Sequence, residues 1–142
     1  MSQELRDRFI QEIKLRAYDD QYVDVGEEKE ILKTSIELGI DIDTARIALQ
    51  QVCDQQGYLL ESAILKEIKS QVEVAAGNDG KVDEGEFSMI FQNAQAKLRG
   101  KKNDVQVKWM IVTIMEENQL NQVKTGWFSN WYAKLKSEIG WS

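Results

Sequence analysis

The chain of 142 residues contains no histidine and no proline, and it has one cysteine, Cys53. Without histidine, a Ser-His-Asp triad, a Cys-His pair and a His-ligated zinc site are excluded. A lone cysteine cannot form an intrachain disulfide, and it is typical of a protein in a reducing compartment. The lack of proline, with many Leu, Ile, Glu, Gln and Lys residues, favours long uninterrupted helices. These absences favour a helical protein that is not an enzyme.

Long hydrophobic runs are missing as well. The longest candidate, residues 109–115, has seven residues, whereas a membrane-spanning helix needs about 20. The first residues, 1–9, carry charges and lack the apolar segment of a secretory signal. The net charge of −6 and the pI near 4.8 argue against binding to nucleic acid or to an anionic membrane. We therefore expect a cytoplasmic protein, whose acidic surface would favour a cation or a basic patch on a protein partner.

Apolar residues recur at helical spacing between short polar breaks, and no strand alternation competes with them. Glycines at 39, 57 and 100 are expected to end helices. The pattern predicts an all-α fold, a single-domain bundle of about seven helices over residues 1–142. The residues expected to cap or start the helices are Ser2, Asp24, Asp41 or Asp43, Ser62, Asp83, Asp104, and Thr125 or Gly126.

One short segment occurs twice. Residues 20–27 align without a gap with residues 79–86, 59 positions later, and five of the eight positions are identical. Each copy follows one helix and opens another, and a helix capped by an aspartate, Asp43 or Asp104, is expected next. The repeat predicts two pseudo-symmetric halves that pack face to face.

In both copies an aspartate and a glutamate stand three residues apart at the start of a helix. These pairs are Asp24 with Glu27 and Asp83 with Glu86. The spacing is that of a capping box, in which each side chain accepts a hydrogen bond from the other residue's backbone N–H. Each cap stabilises its helix by about 1 kcal/mol. The spacing predicts a structural role for these four acids.

Capping leaves the acids that precede each cap unexplained. The second copy is similar to the later part of an EF-hand loop, with Asp79, Asp83 and Glu86 at positions five, nine and twelve. Positions one and three fall on Ala75 and Gly77, which offer no side-chain oxygen, so one loop alone is a poor calcium site. If both loops meet, a divalent cation such as calcium would relieve the repulsion between their carboxylates; a solvated acidic surface is the alternative. The candidate metal ligands are Asp20, Asp24, Glu27, Asp79, Asp83 and Glu86.

The pattern Asp79-Gly80, Val82-Asp83 and Glu86, with its partial copy in the first half, resembles the tellurite-resistance TerB-like family. The first copy departs from that pattern at Gln21, where a glycine is usual. The resemblance implies a bundle of about seven helices with an acidic face built from both loops. It also implies a role in stress responses, metal binding, and docking to proteins at the inner face of the membrane, without enzymatic activity.

The C-terminal segment is rich in aromatic residues. Its members are Trp127, Phe128, Trp131, Tyr132 and Trp141. Packing in the core is the favoured explanation, and a partly exposed partner groove is the alternative. The sequence as a whole predicts a non-enzymatic, stress-related binding module with an acidic, cation-binding loop face and a protein-docking surface. The alternative is a calcium-binding sensor or buffer of the EF-hand class, in which calcium would expose apolar surface.

Overall fold

The computed structural model describes residues 2–17, 19–77, 81–117 and 131–141. These residues form seven α-helices and two strands of two residues each. The elements are α1 (Gln3–Ala17), β1 (Tyr22–Val23), α2 (Val25–Glu37), α3 (Ile42–Gln56), β2 (Leu59–Leu60), α4 (Glu61–Ala76), α5 (Glu84–Leu98), α6 (Asp104–Glu117) and α7 (Trp131–Ile139). The prediction of an all-α fold of about seven helices is confirmed.

The chain divides into two compact units, residues 1–63 and residues 64–142, called here the first and the second unit. In the first unit, Phe9 and Ile13 of α1 are fully buried with Ile31 of α2 and Leu49 of α3. In the second unit, α5 packs on α6 and α6 on α7. Each unit has its own apolar core, and the division falls between the two copies of the repeated segment.

Burial extends the repeat beyond the eight residues that the sequence aligns. The buried residues of α1 are Phe9, Ile13 and Ala17, and the residues 59 positions later, Ile68, Val72 and Ala76, are the buried positions of the same stretch of α4. Val23 and Val82, just before the two caps, are both fully buried. The same helix–loop–helix pattern therefore occurs in both units. That the halves pack face to face stays a prediction.

At α3 one of the two expected caps, Asp41, is observed, whereas the cap of α6 differs from the sequence-based expectation. Asp41 caps α3 and accepts a hydrogen bond from the backbone N–H of Thr44 at 3.3 Å. Asp104 was expected to cap α6, but it is the first helical residue, because Asn103 and Gln106 form a neutral capping box before it. The Asn103 Oδ1 accepts from the Gln106 N–H at 2.8 Å, and the Gln106 Oε1 accepts from the Asn103 N–H at 2.9 Å. Asparagine offers the same acceptor one residue earlier.

The two short strands form a parallel ladder, which pairs Tyr22 with Leu59 and Val23 with Leu60. All four residues are buried. Each strand is too short to produce the alternation by which sequence reveals strands. The ladder holds the segment between α1 and α2 against the segment that leads directly into α4. Ser62 was expected to cap α4 but does not, because the helix follows the ladder directly and begins at Glu61. The Ser62 hydroxyl instead donates to Glu28 of α2.

The aromatic residues of α7 contribute to the core of the second unit. Trp131 and Tyr132 are buried, and the Trp131 ring lies 5.6 Å from the Phe87 ring of α5. Trp141 stacks on Trp109 of α6 at 4.5 Å. The predicted helix start at residues 125–126, with the aromatics at 127–128, lies outside the described residues. Among the helices that the structure describes, none has both the length and the apolar character needed to cross a membrane.

Candidate functional site

The predicted capping boxes are present in both units. At the start of α2, the Asp24 Oδ1 accepts from the Glu27 N–H at 2.7 Å, and the Glu27 Oε1 accepts from the Asp24 N–H at 3.2 Å. At the start of α5, Asp83 and Glu86 make the same two bonds at 2.7 Å and 3.0 Å. These bonds engage one oxygen of each carboxylate, so the structural role predicted for the four acids is confirmed.

The glycine inside the repeated motif has a steric reason that the sequence alone does not reveal. A Cβ atom built on Gly26 would lie 3.3 Å from the Asp24 Oδ1, and one built on Gly85 would lie 3.4 Å from the Asp83 Oδ1. These oxygens are the atoms that accept the capping hydrogen bonds. The glycine therefore leaves room for the cap carboxylate to reach its backbone partner.

Three elements of the first unit bring carboxylates together around its capping box. The Glu61 carboxylate of α4 accepts from the Tyr22 hydroxyl and, at 3.4 Å, from the Val25 N–H. The Ser62 hydroxyl donates to the Glu28 Oε1 at 2.6 Å. We call the resulting surface the first-loop acidic face. Its residues are Asp20, Asp24, Glu27, Glu28 and Glu61.

The charges on the first-loop acidic face act on one another. The pKa of Glu27 is raised, first by desolvation and then by the negative charges of Asp24 and Asp20, although the backbone hydrogen bond from Asp24 works in the opposite direction. Burial raises the pKa of the Tyr22 hydroxyl well above its usual range, and the hydrogen bond to Glu61 adds to this. Carboxylates crowded in this way favour any ligand that brings positive charge.

Formal charge is divided unevenly between the units. Residues 1–63 carry seven Lys and Arg against fourteen Asp and Glu, a balance of −7, whereas residues 64–142 carry eleven against ten, a balance of +1. The acidity that the composition revealed therefore belongs to the first unit. This is also the unit that contains the first-loop acidic face.

The six predicted metal ligands are distributed over both units. Asp20, Asp24 and Glu27 lie at the start of α2 in the first unit, whereas Asp83 and Glu86 lie in the second unit. Asp79 lies outside the described residues. Within residues 2–17, 19–77, 81–117 and 131–141, no group of three or more His, Cys, Asp or Glu side chains is arranged to hold a metal ion. A metal site pooled from both loops stays a prediction.

Gln21 occupies the position where the first copy lacks the usual glycine. Its φ of 56° lies in the left-handed region, which favours glycine. Asp20 stabilises the same turn, because its Oδ1 accepts from the Tyr22 N–H at 3.1 Å. The loop thus makes a left-handed turn at this residue despite the glutamine side chain.

The single cysteine lies in the core of the first unit. Cys53 is buried on α3, and burial raises the pKa of its thiol to about 11. A thiol with this pKa stays protonated at neutral pH and is a poor nucleophile. This agrees with a packing role for Cys53.

The described residues of the second unit line two of its concave surfaces. One, of about 340 Å³, lies between α4 and α5, and we call it the α4–α5 groove. The other, of about 280 Å³, lies among α5, α6 and α7 and is lined by residues that include Phe91, Lys108, Trp131 and Lys134. There the Lys108 ammonium lies 5.1 Å from the centre of the Phe91 ring. Sequence analysis identified neither surface, because each is formed by residues from separate helices.

No protein-family model matches this chain, and neither a curated protein nor a solved structure matches it. The resemblance to the TerB-like family and the similarity to EF-hands therefore stay predictions from the residues quoted for them.

Proposed function

We propose that the chain is a non-enzymatic, TerB-like binding module, acting in a stress response, that docks a basic segment of a protein partner on the first-loop acidic face. The observation that carries the proposal is the gathering of five carboxylates by the capping box, the parallel ladder and the start of α4. The balance of −7 over residues 1–63 adds a long-range attraction for such a partner.

The electrostatics of Glu27 support docking of positive charge. Its pKa is raised by desolvation and by the negative charges of neighbouring Asp24 and Asp20, so its surroundings oppose the charge of its carboxylate. A Lys or Arg side chain from a partner would offset this repulsion and favour ionisation of Glu27. Binding is therefore linked to proton release, and affinity is expected to increase as the pH rises through the raised pKa of Glu27.

A divalent cation is the second candidate ligand, because it would relieve the same repulsion. The predicted ligands Asp20, Asp24 and Glu27 each retain a carboxylate oxygen beyond those in the hydrogen bonds given above. As placed, these three side chains are not arranged to hold a metal ion, so a cation would have to draw their carboxylates together. A cation bound there would gate docking of the protein partner. In the related alternative, a calcium sensor of the EF-hand class, calcium would in addition expose apolar surface.

A synthetic peptide, Lys-Arg-Ala-Lys-Arg-Ala with blocked ends, tests the main proposal by titration calorimetry at two salt concentrations. The double variant Asp20→Asn with Glu28→Gln removes two charges but keeps acceptors for the Tyr22 N–H and the Ser62 hydroxyl. We expect this variant to bind the peptide about fivefold more weakly, since each exposed charge contributes at most about 1 kcal/mol.

The matched control for this titration is the variant Glu4→Gln with Asp7→Asn, which removes two exposed charges from α1 of the same unit. The proposal predicts a clearly smaller loss of affinity for the control. Equal losses for the two variants would show that net charge, and not the first-loop acidic face, attracts the peptide.

The cation candidate is tested by thermal unfolding in calcium, magnesium or manganese. A cation at 100 times its dissociation constant stabilises the protein by about 2.7 kcal/mol, and Glu27→Gln should reduce this gain. An unchanged melting temperature at millimolar cation would exclude the cation candidate and leave protein docking intact. Tryptophan fluorescence with and without calcium separates a sensor, which changes shape, from a static module.

A further inference from the structure

The cavity of about 280 Å³ among α5, α6 and α7 is called here the three-helix pocket. Its base is largely aromatic, with the Phe87 ring 5.6 Å from the Trp131 ring. The Lys108 ammonium lies 5.1 Å from the centre of the Phe91 ring, and Leu135 adds an aliphatic side chain. Small-molecule sites have volumes of about 300 to 1,000 Å³, so a cavity at the lower end of this range suits a small ligand.

Charged side chains surround this apolar base. Among the described residues that line the pocket, two are lysines and two are glutamates, so their formal charges sum to zero; they are Lys108, Lys134, Glu84 and Glu138. Within the part of the chain that the structure describes, none of the four takes part in an ion pair. A ligand with a single charge is attracted by one pair and repelled by the other, whereas a ligand that carries both charges is complementary to both pairs.

Two of these charges lie one helical turn apart. Lys134 and Glu138 are on the same side of α7 at a spacing of four residues, which places their Cβ atoms about 5 to 6 Å from each other. A lysine that precedes a glutamate by four residues pairs with it less favourably than in the reverse order, so a ligand competes with little when it contacts both groups. An α-amino acid carries its ammonium and its carboxylate on one carbon atom, and it can therefore contact both side chains at once.

We propose that the three-helix pocket binds a free α-amino acid with an aromatic or a large aliphatic side chain. The carboxylate of the ligand lies against the Lys134 ammonium, and its ammonium lies against the Glu138 carboxylate. Its side chain packs on Phe91 and Leu135, where it buries apolar surface. This proposal uses residues of the second unit alone and is independent of the first-loop acidic face.

Three small ligands with the same ring test the proposal: L-phenylalanine, 3-phenylpropionate and 2-phenylethylamine. The second lacks the ammonium of the first, and the third lacks its carboxylate. Each is titrated into the full-length ¹⁵N-labelled protein, and the amide signals are followed. We expect L-phenylalanine to shift the signals of residues 84–91 and 131–138 with a dissociation constant on the order of 1 mM. Each of the other two ligands should bind about fivefold more weakly.

Two variants assign the two charges of the ligand. Lys134→Met keeps the aliphatic stem, and it should weaken binding of L-phenylalanine and 3-phenylpropionate about fivefold without affecting 2-phenylethylamine. Glu138→Gln should weaken binding of L-phenylalanine and 2-phenylethylamine to the same degree without affecting 3-phenylpropionate. The matched controls, Lys101→Met and Glu73→Gln, remove exposed charges of the second unit outside the pocket and should change none of the affinities. Ser88→Trp, at an exposed position in the lining, fills the pocket and should abolish binding of all three ligands.

Several results would overturn the proposal. These are the absence of shifts at about 10 mM L-phenylalanine, equal affinity for the three ligands, or full affinity for L-phenylalanine in both Lys134→Met and Glu138→Gln. Equal affinity would identify a plain apolar cavity that does not recognise charge. The first-loop variant Asp20→Asn with Glu28→Gln should bind L-phenylalanine as the unaltered protein does, so this proposal and the proposed function can fail separately.

Discussion

The two capping boxes allow a matched test of structural and electrostatic roles for the repeated aspartates. Asp24→Ala and Asp83→Ala each remove the oxygen that accepts from the third helical N–H at 2.7 Å. Loss of such a cap costs about 1 kcal/mol, within a range of about 0.5 to 2 kcal/mol. In a chain of this size we expect each variant to melt about 4 °C lower.

The asparagine variants separate the acceptor from the charge. Asparagine caps helices as well as aspartate does, so Asp83→Asn should lose only the interaction with the helix dipole, about 0.3 to 1 kcal/mol. Asp24→Asn loses the same interaction, but it also removes a negative charge next to Glu27 and Asp20. We therefore expect Asp24→Asn to be less destabilising than Asp83→Asn at low salt, and the difference to shrink in 1 M salt.

Urea unfolding followed by far-UV circular dichroism at pH 7 measures all four variants. An Asp83→Ala variant as stable as the unaltered protein would contradict the capping role. Equal effects of the two asparagine variants at low salt would contradict the crowding of charge at the first-loop acidic face, and with it the electrostatic basis of the proposed function.

Three further changes have defined outcomes. The pKa of Glu27 is raised in the folded state, so the stability that protonation of Glu27 adds is fully present below its pKa in the unfolded chain and is lost as the pH rises through its pKa in the folded protein. Thermal melts between pH 4.5 and 7 should show this dependence, and Glu27→Gln should remove it. Gln71→Leu should raise the free energy of unfolding by about 1 kcal/mol in urea melts, because it removes the buried Gln71 Oε1, which lacks a hydrogen-bond partner among the described residues. A lower stability of this variant would show that the Oε1 atom is hydrogen-bonded in the folded protein. Gln21→Gly should stabilise the first unit by roughly 0.5 kcal/mol in the same assay, since relief of the left-handed φ of 56° exceeds the entropy that glycine adds to the unfolded chain; destabilisation would mean that the glutamine side chain supports the turn.

Local features of the fold were predictable from the sequence because they depend on neighbours a few residues apart. The capping boxes needed only the spacing of Asp24 and Glu27, and of Asp83 and Glu86, and the structure contains both. The cap at Asn103 was missed because asparagine and aspartate compete as caps, and the start of α4 at Glu61 was missed because the ladder fixes where that helix begins.

Features built from separate elements were not predictable in the same way. Glu28 and Glu61 join the first-loop acidic face through hydrogen bonds with Tyr22, Val25 and Ser62, which lie on other elements or far along the chain. The Gln71 Oε1 is buried without a hydrogen-bond partner among the described residues, and no local sequence pattern encodes this. The charge imbalance between the units was available from the sequence, but only once the boundary after residue 63 was known.

The close approach of Gly26 and Gly85 to their cap oxygens gives this chain a usable signature. An ordinary capping box tolerates many residues between its two members. A methyl group at Gly26 would press against the Asp24 oxygen, which would have to move by a few tenths of an ångström, whereas one at Gly85 would only just reach van der Waals contact with the Asp83 oxygen. A narrower search pattern for distant relatives than helix capping alone is therefore an aliphatic residue followed by Asp, any residue, Gly and Glu. Two occurrences of this pattern in one chain, about sixty residues apart, would indicate the same duplicated architecture.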